Sequence, residues 1–167
     1  MGLLAGDSGY TVLISTASSG AAGSEAPDYT SGANNGITLY CEKYQIKNDS
    51  LDKKKQLPSG KAIKILTGKR DLSIQLSNCT VNKNVTATSS AEMDAIDDFI
   101  YNHGRKRAGT KVYLFIKNNA DSVYRKLSWS ATHVHQRYMK GYFAGLTATG
   151  GKGKIYYIPQ LTFEEVT

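Results

Sequence analysis

His133 and His135 stand two residues apart in a segment with strand periodicity, which sets both imidazoles on one face at a spacing that suits a metal ion. No Cys, Asp or Glu neighbours them to complete a shell, and the third histidine, His103, closes a helix, so surface histidines are expected. Glu164 and Glu165 are adjacent in a strand pattern, point to opposite faces, and make no acid–base dyad. The run Gly150-Gly151-Lys152-Gly153 has the composition of a phosphate cradle, but no helix with a Lys-Ser/Thr continuation follows it, and a hairpin turn is expected. Aromatic and basic residues mix in Arg137-Tyr138-Met139-Lys140-Gly141-Tyr142-Phe143, as in a sheet that binds single strands. Tyrosine serves equally at subunit interfaces, where its ring buries area and its hydroxyl stays hydrogen-bonded, and interface or core is the favoured reading. No nucleophile, base and acid come together in any motif, so neither an enzyme, a cofactor nor a metal is expected.

Length and charge narrow the class further. At 167 residues the chain is expected to form one domain with a sizeable core. Its net charge of +7 gathers in Lys53-Lys54-Lys55, Lys69-Arg70, Arg105-Lys106-Arg107 and Lys152 to Lys154. Three of these four clusters fall in predicted turns, where charge usually serves solvation and phosphate contact is the lesser reading. Cys41 and Cys79 fall in strand segments and are too few for a disulfide framework; two free thiols in a reducing compartment are expected, with a bridge as the alternative. No apolar run nears the roughly 20 residues that span a membrane, and the amino terminus lacks the regions of a signal peptide. Synthesis in the cytosol and no membrane insertion are the expectations.

The elements that would carry these residues are mainly strands. Residues 1–36 are rich in Gly, Ser and Ala and read as an extended, flexible arm. Its apolar stretch, with Tyr10, Val12, Leu13 and Ile14, could gain order by pairing with a neighbouring subunit's sheet edge. From residue 37 a single domain is expected: Ile37, Leu39 and Cys41 alternate with Thr38, Tyr40 and Glu42 as in a half-buried strand. The polar stretch from Asn48 to Gly60 reads as a projecting loop or hairpin tip. A hairpin of Ala62 to Leu66 with Leu72 to Leu76 is expected next, and then a polar extension from Asn78 to Thr88. Ser89-Ser90-Ala91-Glu92 fits a capping box and opens a helix over about 89–103. Met93, Ile96, Phe99 and Ile100 mark its core face, Asp94, Asp97 and Asp98 its wet side, and Gly104 its end. Val112 to Ile116 is apolar on both parities, as a strand covered by the helix on one face would be. Strands are then expected over Tyr124 to Trp129, His133 to Met139, Tyr142 to Thr147 and Ile155 to Val166, with Pro159 marking an edge or a bulge. The fold class is mainly β with one α-helix: a β-sandwich or barrel with a flanking helix.

This order of elements, ending in Ile155-Tyr156-Tyr157-Ile158-Pro159-Gln160-Leu161-Thr162-Phe163-Glu164-Glu165-Val166, resembles the tail tube proteins of tailed viruses and related contractile injection machines over residues 37–167. The resemblance implies a structural protein without an active site, forming hexameric rings that stack into a hollow tube for genome passage. It implies a place in the virion tail, other tail proteins as partners, and DNA that crosses the lumen without specific binding. By the same analogy, Asp52, Lys53, Lys54, Lys55, Leu57 and Pro58 match the loop that contacts the adjacent ring, and residues 1–36 would reach a neighbour. Basic clusters would then face outward or lie at interfaces, leaving Asp and Glu to line the bore. Two other classes compete with it: a single-strand nucleic-acid-binding barrel, and a receptor-binding, carbohydrate-binding or capsid-decoration sandwich.

Overall fold

Alternating apolar residues organise the chain into strands that each offer one face to a common core. The computed structural model describes residues 9–29, 36–50, 53–65, 70–81, 89–104, 111–127, 136–150 and 156–165. Its elements run β1 (Tyr10–Ser15), β2 (Ala17–Ser19), β3 (Ala26–Asp28), β4 (Gly36–Ser50), β5 (Lys53–Gln56), β6 (Ala62–Ile65), β7 (Arg70–Thr80), α1 (Ser90–Asn102), β8 (Val112–Asn118), β9 (Met139–Gly150) and β10 (Tyr156–Glu165). The order β1-β4-β7-β10-β9-β8 closes on itself as an antiparallel barrel, while β2-β3 and β5-β6 form separate two-stranded ribbons. The expected mainly β barrel with one helix is therefore what the chain forms.

The arm is corrected. Tyr10 to Ser15 pair on one side with β4, from Tyr10↔Cys41 to Ser15↔Gly36, and on the other with β8, from Tyr10↔Asn118 to Ser15↔Tyr113. Val12 and Ile14 are wholly buried in the core. A six-residue strand with a neighbour on each side closes the barrel of its own chain, so the domain includes at least Gly9 to Asp28 and does not start at residue 37. The reading of Tyr10, Val12, Leu13 and Ile14 as an inter-subunit arm falls with it.

The expected hairpin of Ala62 to Leu66 with Leu72 to Leu76 is also replaced. Ala62–Ile65 pairs backwards with Lys53–Gln56, and β7 pairs with β4 from Ser50↔Arg70 to Tyr40↔Thr80. Of the two readings of the polar stretch from Asn48 to Gly60, loop or hairpin tip, the described residues form the hairpin: Lys53–Gln56 is its first strand and Leu57 to Gly60 its turn. Tyr124 to Leu127 is not strand, and the expected strand over His133 to Met139 begins only at Met139; His133, His135, Trp129, Lys69, 105–107 and 151–155 lie outside the described residues.

A line of broken alternation crosses three strands. In β4 the inward residues are Ile37, Leu39 and Cys41, then Tyr44 and Ile46; in β7 they are Leu72, Ile74 and Leu76, then Cys79; in β10 they are Tyr156 and Ile158, then Leu161 and Phe163. The skipped positions are Glu42, Asn78 and Pro159, which stand in line across the sheet. Asn78 takes φ 54, a left-handed conformation that Asn tolerates, and Pro159 has no N–H to give a ladder. The β4-β7 and β7-β10 registers stay in step through this line, and the shift falls between β10 and β9, from Tyr157 to Gln160, where a bulge bends the strand and raises its twist. Pro159 therefore marks a bulge in a central strand, not an edge.

Cys41 and Cys79 face one another across β4 and β7 with Cα atoms 4.1 Å apart and are joined by a disulfide. The expectation of two free thiols is corrected by that register, which places both sulfurs on the same inward face with no solvent around them.

Ser89 caps α1 as expected: its hydroxyl accepts from the Glu92 N–H at 3.2 Å, and the Glu92 carboxylate accepts from the Ser89 N–H at 2.9 Å. Ile96, Phe99 and Ile100 enter the core, and Met93 packs half-buried against it. The helix ends at His103, and Gly104 forms a bridge to Phe143 instead of a left-handed cap. Phe115, on the outward parity of β8, is covered by the rings of Tyr124 and Tyr138 at 5.3 and 5.9 Å, not by the helix.

One close approach has a direct consequence. A Cβ at Gly141 would sit 1.8 Å from the Glu164 carbonyl oxygen in the paired strand β10. Gly141→Ala is expected to force β9 away from β10 and cost about 1–3 kcal/mol, as overpacking does; chemical denaturation of the purified variant checks it.

Candidate assembly surfaces

Four strands of the barrel, β4, β7, β10 and β9, are much longer than the other two, and they form a continuous sheet. Its outward face can be read row by row from the register. Lys43, Ser77 and Gln160 share one row; Gln45, Gln75, Thr162 and Gly145 the next; Lys47, Ser73, Glu164 and Tyr142 the third. Short neutral polar side chains fill the middle rows of this face, with Lys43 and Lys47 on β4 and Glu164 on β10. Beyond the line of broken alternation, Asn78 donates to the Glu42 carboxylate at 2.6 Å and Tyr157 donates its hydroxyl to the Asn78 side-chain oxygen.

Both outer strands of this sheet outrun their neighbours. β1 pairs with β4 only as far as Cys41, so from Glu42 to Ser50 the only described strand beside β4 is β7. β8 pairs with β9 only over Met139 to Gly141; next to it the Phe143 N–H donates to the His103 carbonyl at 3.1 Å, and from Ala144 to Gly150 the only described strand partner is β10. Strand edges without a partner among the described residues are templates for another chain.

The third surface is the ribbon β5-β6, a two-stranded sheet of its own that lies between β4 and β7 in the chain. It turns through Leu57 to Lys61, where the Leu57 N–H donates to the Lys61 carbonyl at 2.8 Å and Gly60 takes φ 80. Lys53, Lys54, Lys55 and Pro58 are exposed and Leu57 is half-buried, while Asp52 lies outside the described residues. The sequence did not single out Ile63 and Ile65, which are 41 and 43% exposed on the same ribbon. Their alternation with Ala62 and Lys64 predicts a hairpin with Leu72 to Leu76 rather than an exposed ribbon with β5.

Comparison with family models, curated proteins and solved structures gives no match. Among the described residues, no three His, Cys, Asp or Glu side chains converge as a metal site, and no helix is long and apolar enough to cross a membrane.

The carboxylate of Glu25 is buried and accepts from the Gly23 N–H at 2.9 Å, and the Arg137 guanidinium donates to the carbonyls of Gly23 and Tyr124. These contacts fasten the β2-β3 ribbon beside residues 122–124, a structural use for a basic residue of the aromatic stretch. Lys140 lies 4.9 Å from the Tyr113 ring centre and Tyr138 stacks edge-on to the same ring at 4.9 Å, so part of that stretch is spent inside the fold. Tyr156, buried at the start of β10, donates its hydroxyl to Asp97 of α1. Burial first, and then the adjacent Asp97 carboxylate, push its pKa well above the usual tyrosine value. The unfolded chain ionises near pH 10 while the folded chain resists, so the stabilisation is complete below about pH 10 and is lost as pH rises beyond it. The melting temperature is expected to fall above pH 10, less steeply in Tyr156→Phe; a thermal melt series from pH 8 to pH 11.5 checks this.

Proposed function

We propose that the chain is the structural subunit of a hollow tube, assembling through its sheet edges into closed rings that stack, as the resemblance to tail tube proteins implies. One observation carries the reading. The long sheet β4-β7-β10-β9 has an even number of alternating strands, and among the described residues both outer strands have stretches with no strand beyond them. In a ring of equivalent copies, β9 of one copy runs antiparallel to β4 of the next, so the ladder continues without a break in its pattern. Cyclic closure then pairs both outer strands of that sheet. The outward face of that sheet would line the bore, and its Ser, Thr and Gln rows suit a conduit that must not hold a polyanion. Lys43 and Lys47 make this lining mixed rather than acidic, with Glu42 next to Lys43 and Glu164 two strands from Lys47. Genome passage, a place in a virion tail and other tail proteins as partners belong to the same proposal.

The second reading, a barrel that binds single-stranded nucleic acid, is favoured by Tyr40, Tyr142 and Tyr157, which share that outward face with Lys43 and Lys47. Negative-stain electron microscopy over a concentration series, with sedimentation alongside, separates the two. Rings or tubes with a central channel are the expected result; a persistent monomer that binds single-stranded DNA with steep salt dependence would overturn the tube reading.

A further inference from the structure

The β5-β6 ribbon gathers positive charge around two exposed isoleucines. From Lys53 to Ile65 the chain carries Lys53, Lys54, Lys55, Lys61 and Lys64, and neither Asp nor Glu. Every residue of both strands is exposed. Directly opposed residues share a face, so Lys53 and Ile65 stand with Lys55 and Ile63 on one side, while Lys54 stands with Lys64 on the other. On the first face the isoleucines occupy β6 and the lysines β5. A lysine stem lies along apolar surface while its ammonium group stays in a polar layer, so this face can set two isoleucines in an apolar phase and two charges at its border.

Composition selects among the polyanionic partners that such a charge attracts. Trp, Tyr and Arg anchor most protein interfaces and lysine is depleted in them, whereas this ribbon has lysine and none of the three. Single-stranded nucleic acid is held by stacking bases on aromatic rings, and the ribbon has no aromatic residue. An anionic lipid surface asks for neither. It presents phosphates at the headgroup level and an apolar layer just beneath them, which receives Ile63 and Ile65, and each lysine brought near it adds to binding. Lys54 and Lys64 contribute from the opposite face, because the surface potential reaches over a Debye length, about 8 Å at physiological salt. Strands of four residues, about 13 Å long, are too short to cross a hydrocarbon core of about 30 Å, so the ribbon would lie in the interface.

We propose that the Lys53/Lys55/Ile63/Ile65 face of the ribbon adsorbs to an anionic lipid bilayer, with both isoleucines at the acyl boundary and the two ammonium groups on lipid phosphates. The contact needs no second copy of the chain, so the inference goes beyond the tube reading and does not rest on it. Binding of this kind is reversible and weakens with salt.

The test sediments the full chain at low and high salt with extruded vesicles of phosphatidylcholine, alone or with about one third phosphatidylglycerol. Uptake on the mixed vesicles only, lost at high salt, is the expected result, and hydrogen exchange of the wild type is expected to slow across residues 53–65 when those vesicles are present. Lys53→Glu/Lys55→Glu is expected to lower the partition coefficient about tenfold or more, and Ile63→Ser/Ile65→Ser about fivefold. Equal melting temperatures show that these exposed changes leave the fold intact; where they differ, the exchange pattern of the wild type decides. Equal uptake on phosphatidylcholine alone, uptake that ignores both ribbon variants, exchange slowed only elsewhere, or no uptake at all overturns the proposal. Binding of single-stranded DNA through the same lysines, without uptake on vesicles, overturns it in favour of nucleic acid. None of these outcomes bears on the rings or tubes sought by microscopy.

Discussion

Replacing Cys41 and Cys79 together by alanine is expected to lower the unfolding free energy by about 4 kcal/mol, the chain-entropy value for a loop of this size. The bridge spans 38 residues of sequence, and the enclosed segment includes the whole projecting ribbon. Without it the unfolded chain regains the freedom to separate β4 from β7, while the native barrel loses little besides two sulfur contacts. For a domain of this length that corresponds to a drop of about 8–16 °C in melting temperature. Calorimetry of the wild type with and without reductant should show a shift of similar size, and the double variant should be insensitive to reductant. Two titratable thiols in the untreated protein, with no response to reductant, would remove the bridge. The bridge also bears on the proposed assembly, because Cys41 is the residue at which β1 leaves β4. A staple at that point holds the edge in register with β7.

The legible parts of this fold were those encoded over a few neighbouring residues. The α1 capping box and its Ile96, Phe99 and Ile100 stripe depend on contacts three and four residues apart, and the structure reproduces them. Alternation in Ile37 to Cys41 and in Leu161 to Phe163 identified inward faces for the same reason. Partnership between strands was not legible, because period two fixes a face and leaves the neighbour open. Ala62 to Ile65 alternates equally well against β5 or β7, and the polar composition of 48–60 concealed that β5 is a strand. The N-terminal segment shows the limit most clearly. Tyr10 to Ser15 alone buries too little to order itself, and only the space between β4 and β8 makes it a core strand.

The candidate surfaces were partly legible. The exposed lysines of the ribbon could be read from charge spacing alone. The outward rows of the long sheet could not, since they combine residues such as Gln45, Gln75 and Thr162 that meet only through register. The break at Glu42, Asn78 and Pro159 had one visible sign, the proline. Its two partners became identifiable only when the strands were aligned.

That alternation gives a paired test on neighbouring residues of one strand. Phe163 is wholly buried, packs against Phe143 with ring centres 5.5 Å apart, and stands beside Ile74 of β7. Phe163→Ala removes a ring from the centre of the barrel and leaves a cavity between strands paired on both sides, which cannot close by shifting one element. A loss of about 3–5 kcal/mol is expected. Thr162 is one residue away, on the outward face between Gln75 and Gly145. Thr162→Ala should change stability by no more than about 0.5 kcal/mol, the usual range for a surface substitution. Urea denaturation of both variants checks the contrast, and comparable losses would mean that the outward face is covered by another part of the chain. Such a cover would exclude that face as the lining of a bore, so the small effect expected at Thr162 matters as much to the tube reading as the large one at Phe163.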